Sequence, residues 1–112
     1  MPYLRIQTNL PVDVLGKTAL ARRASALMAR ELAKPESYVM VAFAPEQPMM
    51  FGGSDAPCAY LELKSIGLPA ARTNGLSRVL CELIEGVLGI PPARVYIEFS
   101  DVEARFWGWD NA

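Results

Sequence analysis

Histidine is absent from this sequence, and cysteine occurs only twice, as Cys58 and Cys81. Thiols standing well apart, with no imidazole to join them, make neither a zinc site nor a disulfide framework, so both read as small core residues. No stretch is long and apolar enough to span a bilayer, and the first residues lack the charged and then apolar segments of a secretory leader. The expected compartment is the cytoplasm, with non-classical export left open. Runs of like charge are also missing. The 11 Lys and Arg are scattered among 12 Asp and Glu, for a formal net charge of −1. That balance suggests neither a nucleic-acid groove nor a basic membrane patch. No metal and no cofactor are expected.

The chain does have 112 residues, 52% of them apolar, and nine prolines. This composition describes one compact domain over residues 1–112, large enough to bury a core but near the marginal end of stability. One proline is residue 2, and it opens Met1-Pro2-Tyr3-Leu4-Arg5-Ile6-Gln7-Thr8-Asn9, an alternating run that reads as a first strand. Trimming of Met1, usual before a small second residue, leaves a secondary amine at a strand end. An α-amino group titrates near pH ~8, and burial or a neighbouring cation disfavours its protonated form, which suits a general base near neutrality. Many chains begin Met-Pro by accident, so the dipeptide acquires meaning only with the rest of the sequence.

The remainder is a pseudo-repeat, residues 1–50 and 57–105. Lys34-Pro35-Glu36-Ser37-Tyr38-Val39-Met40-Val41-Ala42-Phe43 parallels Pro91-Pro92-Ala93-Arg94-Val95-Tyr96-Ile97-Glu98-Phe99, each a proline turn leading into an apolar strand. Each follows a helix. The first, about Val14 to Ala33, carries Leu20, Ala24, Leu27, Met28 and Leu32 on one stripe; the second, about Ala71 to Leu88, carries Leu76, Val79, Leu80, Leu83, Ile84, Val87 and Leu88. Each helix follows a strand: Tyr3 to Thr8, with Leu4 and Ile6 on one face, and Ala59 to Ser65, with Leu61 and Leu63 on one face and Tyr60, Glu62 and Lys64 opposite. The expected fold is α/β (α+β): two tandem right-handed βαβ units forming a four-stranded sheet with both helices on one face. The other face is left bare while its strands carry Tyr, Val, Met and Phe on both sides, so a homo-oligomer is expected. The Ala44 to Pro57 connection and the tail after Asp101, with Phe106, Trp107 and Trp109, are the segments able to reach a neighbour.

Met1-Pro2, Thr8-Asn9, Lys34-Pro35, Met50-Phe51-Gly52-Gly53-Ser54, Pro57-Cys58-Ala59, Ser65-Ile66-Gly67, Arg94-Val95-Tyr96-Ile97 and Gly108-Trp109 stand in an order and spacing that span nearly the whole chain. Together they resemble the macrophage migration inhibitory factor branch of the tautomerase superfamily. The resemblance implies a homotrimer whose sheets enclose a central channel, with active sites at the subunit boundaries. It implies keto–enol tautomerase chemistry, of the phenylpyruvate tautomerase kind, with Pro2 as the acid/base. Lys34 matches a pocket lysine that would pair with an α-keto acid and hold the proline pKa down; read alone, it is a lysine favoured by a helix C-terminus. The backbone N–H of Ile66 matches a substrate contact, whereas Ser65-Ile66-Gly67 alone is a strand-ending turn. Tyr96 matches a tyrosine supplied by the adjacent subunit.

Glu98 stands where the best-known animal members have asparagine. Two residues from Tyr96 on a strand, it shares that face and either places a carboxylate near the pocket or sits on a solvated rim. Ionised, it would raise the Pro2 pKa and compete for Lys34; protonated or paired, it would donate a hydrogen bond as asparagine does. Tyr3, Tyr38, Phe106, Trp107 and Trp109, with Lys64 as a second cation, suggest an aromatic pocket suited to a flat aryl keto acid such as phenylpyruvate. Cys58-Ala59-Tyr60-Leu61 lacks the resolving thiol of a C-x-x-C pair, so thiol–disulfide exchange is not expected. A signalling, cytokine-like protein with a vestigial pocket is the alternative from another class. Hydration or dehalogenation of an unsaturated acid is a third reading, with Glu98 and Arg105 as its candidate residues.

Overall fold

In the computed structural model, which describes residues 1–110, six main elements follow in order. They are β1 (Tyr3–Thr8), α1 (Val14–Glu31), β2 (Met40–Ala44), β3 (Ala59–Ile66), α2 (Thr73–Leu88) and β4 (Val95–Val102). The sheet order is β2-β1-β3-β4. Each βαβ unit contributes a parallel pair, and the units join through antiparallel β1 and β3. This is the expected four-stranded architecture. Leu4, Ile6, Leu61 and Leu63 are fully buried against Leu20, Ala24 and Met28 of α1 and Leu76, Leu80 and Ile84 of α2. Each such side chain contributes roughly 1.5–3 kcal/mol on leaving water. Cys58 is buried, and Cys81 packs half-buried against the same core. Among the described residues no helix is long and apolar enough to cross a membrane.

The helices are shorter than their apolar stripes suggest. α1 starts where Asp13 caps it, Oδ1 accepting from the Gly16 N–H at 2.7 Å. It stops at Glu31 rather than Ala33, because Ala33 turns left-handed at φ 52. The Ala33 N–H then donates to the Arg30 carbonyl at 3.3 Å and the Lys34 N–H to the Ala29 carbonyl at 3.0 Å, the paired bonds of a Schellman end. α2 starts at Thr73, since Ala70–Arg72 winds as a 3-10 turn, and it ends on Gly89 at φ 71. The proline segments of the repeat are not strand from the outset. Glu36–Tyr38 and Pro92–Arg94 are 3-10 turns that deliver the chain to β2 and β4.

Register corrects the expectation about the bare face. Directly paired residues form rows across the sheet: Met40, Tyr3, Lys64 and Ser100; then Ala42, Arg5, Glu62 and Glu98; then Ala44, Gln7, Tyr60 and Tyr96. Val41 and Phe43 belong to the other face and pack on the helices' core. The bare face is therefore charged through its middle row, with Met40, Ala44 and Tyr96 at three corners and Ser100 at the fourth. Arg5 donates to Gln7 Oε1 at 2.6 Å, and Lys64 pairs with Glu62 at 3.4 Å.

Ala33 is a residue with a Cβ in a conformation that costs L-residues about 1–2 kcal/mol. Ala33→Gly relieves that strain while loosening the unfolded chain, so the unfolding free energy should rise by about 0.5–1 kcal/mol. Urea denaturation checks this: the midpoint should move up with no change in slope.

Candidate active site

Much of what carries the family resemblance builds a frame at one corner of the sheet. Phe51 and Ser54 exchange backbone hydrogen bonds at 2.9 and 3.1 Å around Gly52 and Gly53. Those glycines lie at φ 59 and 76, the positive pair that a type I′ turn requires. Buried Thr8 donates its hydroxyl to the Cys58 carbonyl at 2.7 Å. Asn9 donates to the Asp55 and Ala56 carbonyls and accepts from the Cys58 N–H at 3.0 Å. Arg94, at the mouth of β4, donates to the carbonyls of Phe51, Ser54, Ala56 and Pro57 at 3.0–3.2 Å. Its guanidinium also lies 5.1 Å from the centre of the Phe51 ring.

The diagonally opposite corner holds Pro2. The parallel pairing of β1 with β2 sets Met40 beside Tyr3, and the Met40 N–H donates to the Pro2 carbonyl at 2.9 Å. The turn before β2 brings in Ser37 and Tyr38, and the tail beyond β4 returns across the same corner. The result is a cleft of 450 Å³ lined by Met1, Pro2, Tyr3, Ser37, Tyr38, Met40, Trp107, Gly108 and Trp109. Tyr3, Tyr38, Trp107 and Trp109 thus stand together around the proline. Ser37, Met40 and Gly108 were not among the site residues expected from sequence. Met40 had a signal, since the first residue of a strand parallel to β1 must lie beside the start of β1. Phe106 lies outside the cleft, exposed and under the Arg105 guanidinium, which also pairs with Glu103 at 2.8 Å. Lys64 is in register with Tyr3 but turned to Glu62.

A smaller cavity of 160 Å³ lies between the end of α1 and the turn after β3, with Lys34, Ser65, Gly67 and Arg72 in its lining. Lys34 reaches it because the Schellman end throws residue 34 off the helix axis. Among the described residues it makes no ion pair, whereas Arg72 is held by Glu31 at 3.1 Å. Ser65 is buried and donates to the Ile66 carbonyl at 3.2 Å. The turn that follows is fixed by Gly67 at φ 67 and by the Leu68 N–H donating to Asp101 Oδ1 at 3.0 Å. Pro2 itself is fully buried beneath Met1. The amino group of Met1 is held below its ordinary value, first by burial and then by the Lys34 ammonium. The N-terminal residues, Lys34 and the aromatic walls thus lie at one corner of the fold.

Tyr96 and Glu98 are elsewhere. Tyr96 is opposite Tyr60, which is opposite Gln7, five residues along β1 from Pro2. At ~3.3 Å per residue that is roughly 16 Å along the strand before the lateral step across the sheet. Tyr96 is 65% exposed, and its ring stacks on Phe51 with centroids 4.6 Å apart. Glu98, exposed in the charged middle row, lies close to Tyr60. The Tyr60 phenol is pushed up by desolvation, then by the Glu98 and Glu62 carboxylates. Neither Tyr96 nor Glu98 reaches the proline of its own chain.

The whole chain, residues 1–112, matches the family model described as Macrophage migration inhibitory factor. A macrophage migration inhibitory factor homolog from Brugia malayi is 44% identical over 113 residues, spanning 100% of this chain and 97% of its own length. The Mus musculus macrophage migration inhibitory factor is 35% identical over the same spans. Among solved structures, a homologue from Prochlorococcus marinus superposes with a TM-score of 0.92 at 41% identity, covering 98% of this chain and 96% of that one. The Toxoplasma gondii protein gives 0.90 at 29% identity, covering 98% and 97%. The chain belongs to the macrophage migration inhibitory factor family, within the tautomerase superfamily.

Arg94 gives the frame its own test. Arg94→Ala strips donors from several backbone carbonyls at once and should lower the unfolding free energy by about 2–3 kcal/mol. Arg94→Lys should recover little, because a single ammonium cannot serve carbonyls spread over residues 51–57. A calorimetric loss under half a kilocalorie would mean that water replaces these contacts freely.

Proposed function

We propose that the protein is a keto–enol tautomerase acting on aryl α-keto acids of the phenylpyruvate kind, with the Pro2 amine as general acid/base. The observation that carries this reading is the placement of Pro2 at the base of an aromatic cleft, where an amino group is biased toward its neutral form. Removal of Met1 turns the Pro2 nitrogen from an amide, which has no basic lone pair, into a secondary amine in that environment. The neutral amine accepts a proton from the carbon next to the substrate carbonyl, and the ammonium so formed gives that proton to the carbonyl oxygen to complete the enol; ketonisation runs the same two transfers backwards. Lys34 faces the carboxylate or carbonyl oxygen, the N–H of Ile66 donates to the same group, and Tyr3, Tyr38, Trp107 and Trp109 hold the aryl ring. Lys64 and Ser65 support the rim and the turn.

In this reading the working unit is a homotrimer, with Tyr96 and Glu98 entering the cleft of an adjacent copy. The separation of both residues from their own Pro2 supports it, as does a bare sheet face whose charged middle row is flanked by rows holding Met40, Tyr3, Tyr60 and Tyr96. Glu98 then stands beside a phenol, Tyr60, which supplies the partner that a carboxylate near a keto acid needs. Hydration or dehalogenation fits less well, because Arg105 is engaged with Glu103 and Phe106 outside the cleft.

Phenylpyruvate conversion should be rapid with protein whose N-terminal Pro2 is confirmed by intact mass. It should fall by at least 100-fold in Pro2→Ala and in a form that keeps Met1. Equal inactivity of all three would sink the enzyme reading and favour a cytokine-like interaction protein. Lys34→Ala tests the electrostatics. The neutral amine is the active base, so kcat/KM rises with pH through its pKa. Loss of the nearby cation raises that pKa, and the acid limb should shift to higher pH. A limb that stays in place would show that burial alone sets the amine.

A further inference from the structure

We infer that Phe51 is a positioning residue for the active site, acting through Tyr96. The inference rests on the reading above in one respect, that Tyr96 serves the cleft of an adjacent copy. Tyr96 is the second residue of β4 and most of its surface is open, so nothing in its own strand holds the ring in one orientation. An exposed tyrosine at a sheet corner ordinarily samples several rotamers. Here one neighbour restrains it: the Phe51 ring, 4.6 Å away between centroids and tilted by 47°.

Phe51 is in turn among the most constrained residues of the loop. Its N–H and carbonyl both bond to Ser54, and its carbonyl also accepts from Arg94 at 3.1 Å. The same guanidinium lies over its ring. The order Arg94, Phe51, Tyr96 is therefore a stack whose base is tied to backbone and whose far end is a free phenol. Phe51 and Tyr96 also wall a cavity of 460 Å³ with Gln7, Met50 and Tyr60. A phenol held this way presents its hydroxyl in a preset direction, and a substrate that uses it need not order it first.

The test is a double-mutant cycle on phenylpyruvate turnover with correctly processed protein, using Phe51→Leu, Tyr96→Ala and the double variant, beside Phe51→Tyr. Tyr96→Ala should raise KM several-fold with a smaller change in kcat. Phe51→Leu should do the same to a lesser degree, and it should add nothing in the Tyr96→Ala background. Phe51→Tyr, which keeps the ring, should match the parent. The pH profile should move no further in Phe51→Leu than it does in Tyr96→Ala, because Phe51 acts only through the Tyr96 ring. A second readout is independent of turnover: 3-fluorotyrosine at Tyr96 should lose its ring-current shift and sharpen in Phe51→Leu. If Phe51→Leu fails to fold, Phe51→Met, which keeps bulk without a ring, takes its place in both measurements.

An effect of Phe51→Leu that persists undiminished without the Tyr96 ring would overturn the inference, as would an unchanged fluorine signal. A Tyr96→Ala variant with parental KM, when Pro2→Ala is dead, would instead remove the premise about Tyr96 and the inference with it. A KM raised by Tyr96→Ala but not by Phe51→Leu would strike the positioning claim alone.

Discussion

The antiparallel contact between β1 and β3 is the constraint from which the rest follows. Each βαβ unit is parallel within itself, and a head-to-head join of two such units relates them by an approximate two-fold through the middle of the sheet. Equivalent positions then lie at diagonally opposite corners. One corner receives Pro2, the turn before β2 and Met40; the other receives Ala59, the turn before β4 and Tyr96. The same local design, a proline-led 3-10 turn feeding a strand, has been put to two ends. At the first corner it opens a cleft. At the second, Arg94 fills the equivalent space with hydrogen bonds to the loop over residues 51–57.

This division explains the electrostatics of the uncovered face. A sheet with helices on one side must leave the other to water or to another copy of itself. The central row of Arg5, Glu62 and Glu98 suits a hydrated interior better than a dry contact, while Met40 and the tyrosines of the flanking rows suit contact. Such a distribution favours edge-to-edge closure around a wet centre over flat stacking of two sheets.

The fold was largely legible because both periodicities are clean. Leu4, Ile6, Leu61 and Leu63 alternate, and the stripes of Leu20, Ala24 and Met28, and of Leu76, Leu80 and Ile84, recur at helical spacing. The helix ends were less so: Ala33 is of the residue type that most favours helix, and only the tertiary demand for a turn before Pro35 forces it left-handed. The bare face was misjudged for a related reason. Val41 and Phe43 are as apolar as Met40, and only register reveals which of them points inward. The aromatic wall around Pro2 was visible as composition, whereas Met40 and Ser37 depended on strand pairing. Arg94 was visible as part of a motif but its role was not, since one arginine in a turn gives no hint that it will satisfy carbonyls from a segment some forty residues away.

Pro2 lies under Met1 with its carbonyl already bonded to β2, so the sheet closes whether or not the first residue is present. Under the tautomerase reading, folding and activation are then separate events with separate agents. Packing completes the fold, and hydrolysis of one peptide bond creates the base. A fused tag, a retained initiator or an acyl cap on the amine would yield protein identical by melting curve and mass-averaged shape, yet chemically mute. Abundance of this chain in a cell would then report how much scaffold exists, while the maturation state of a single nitrogen would set how much enzyme does.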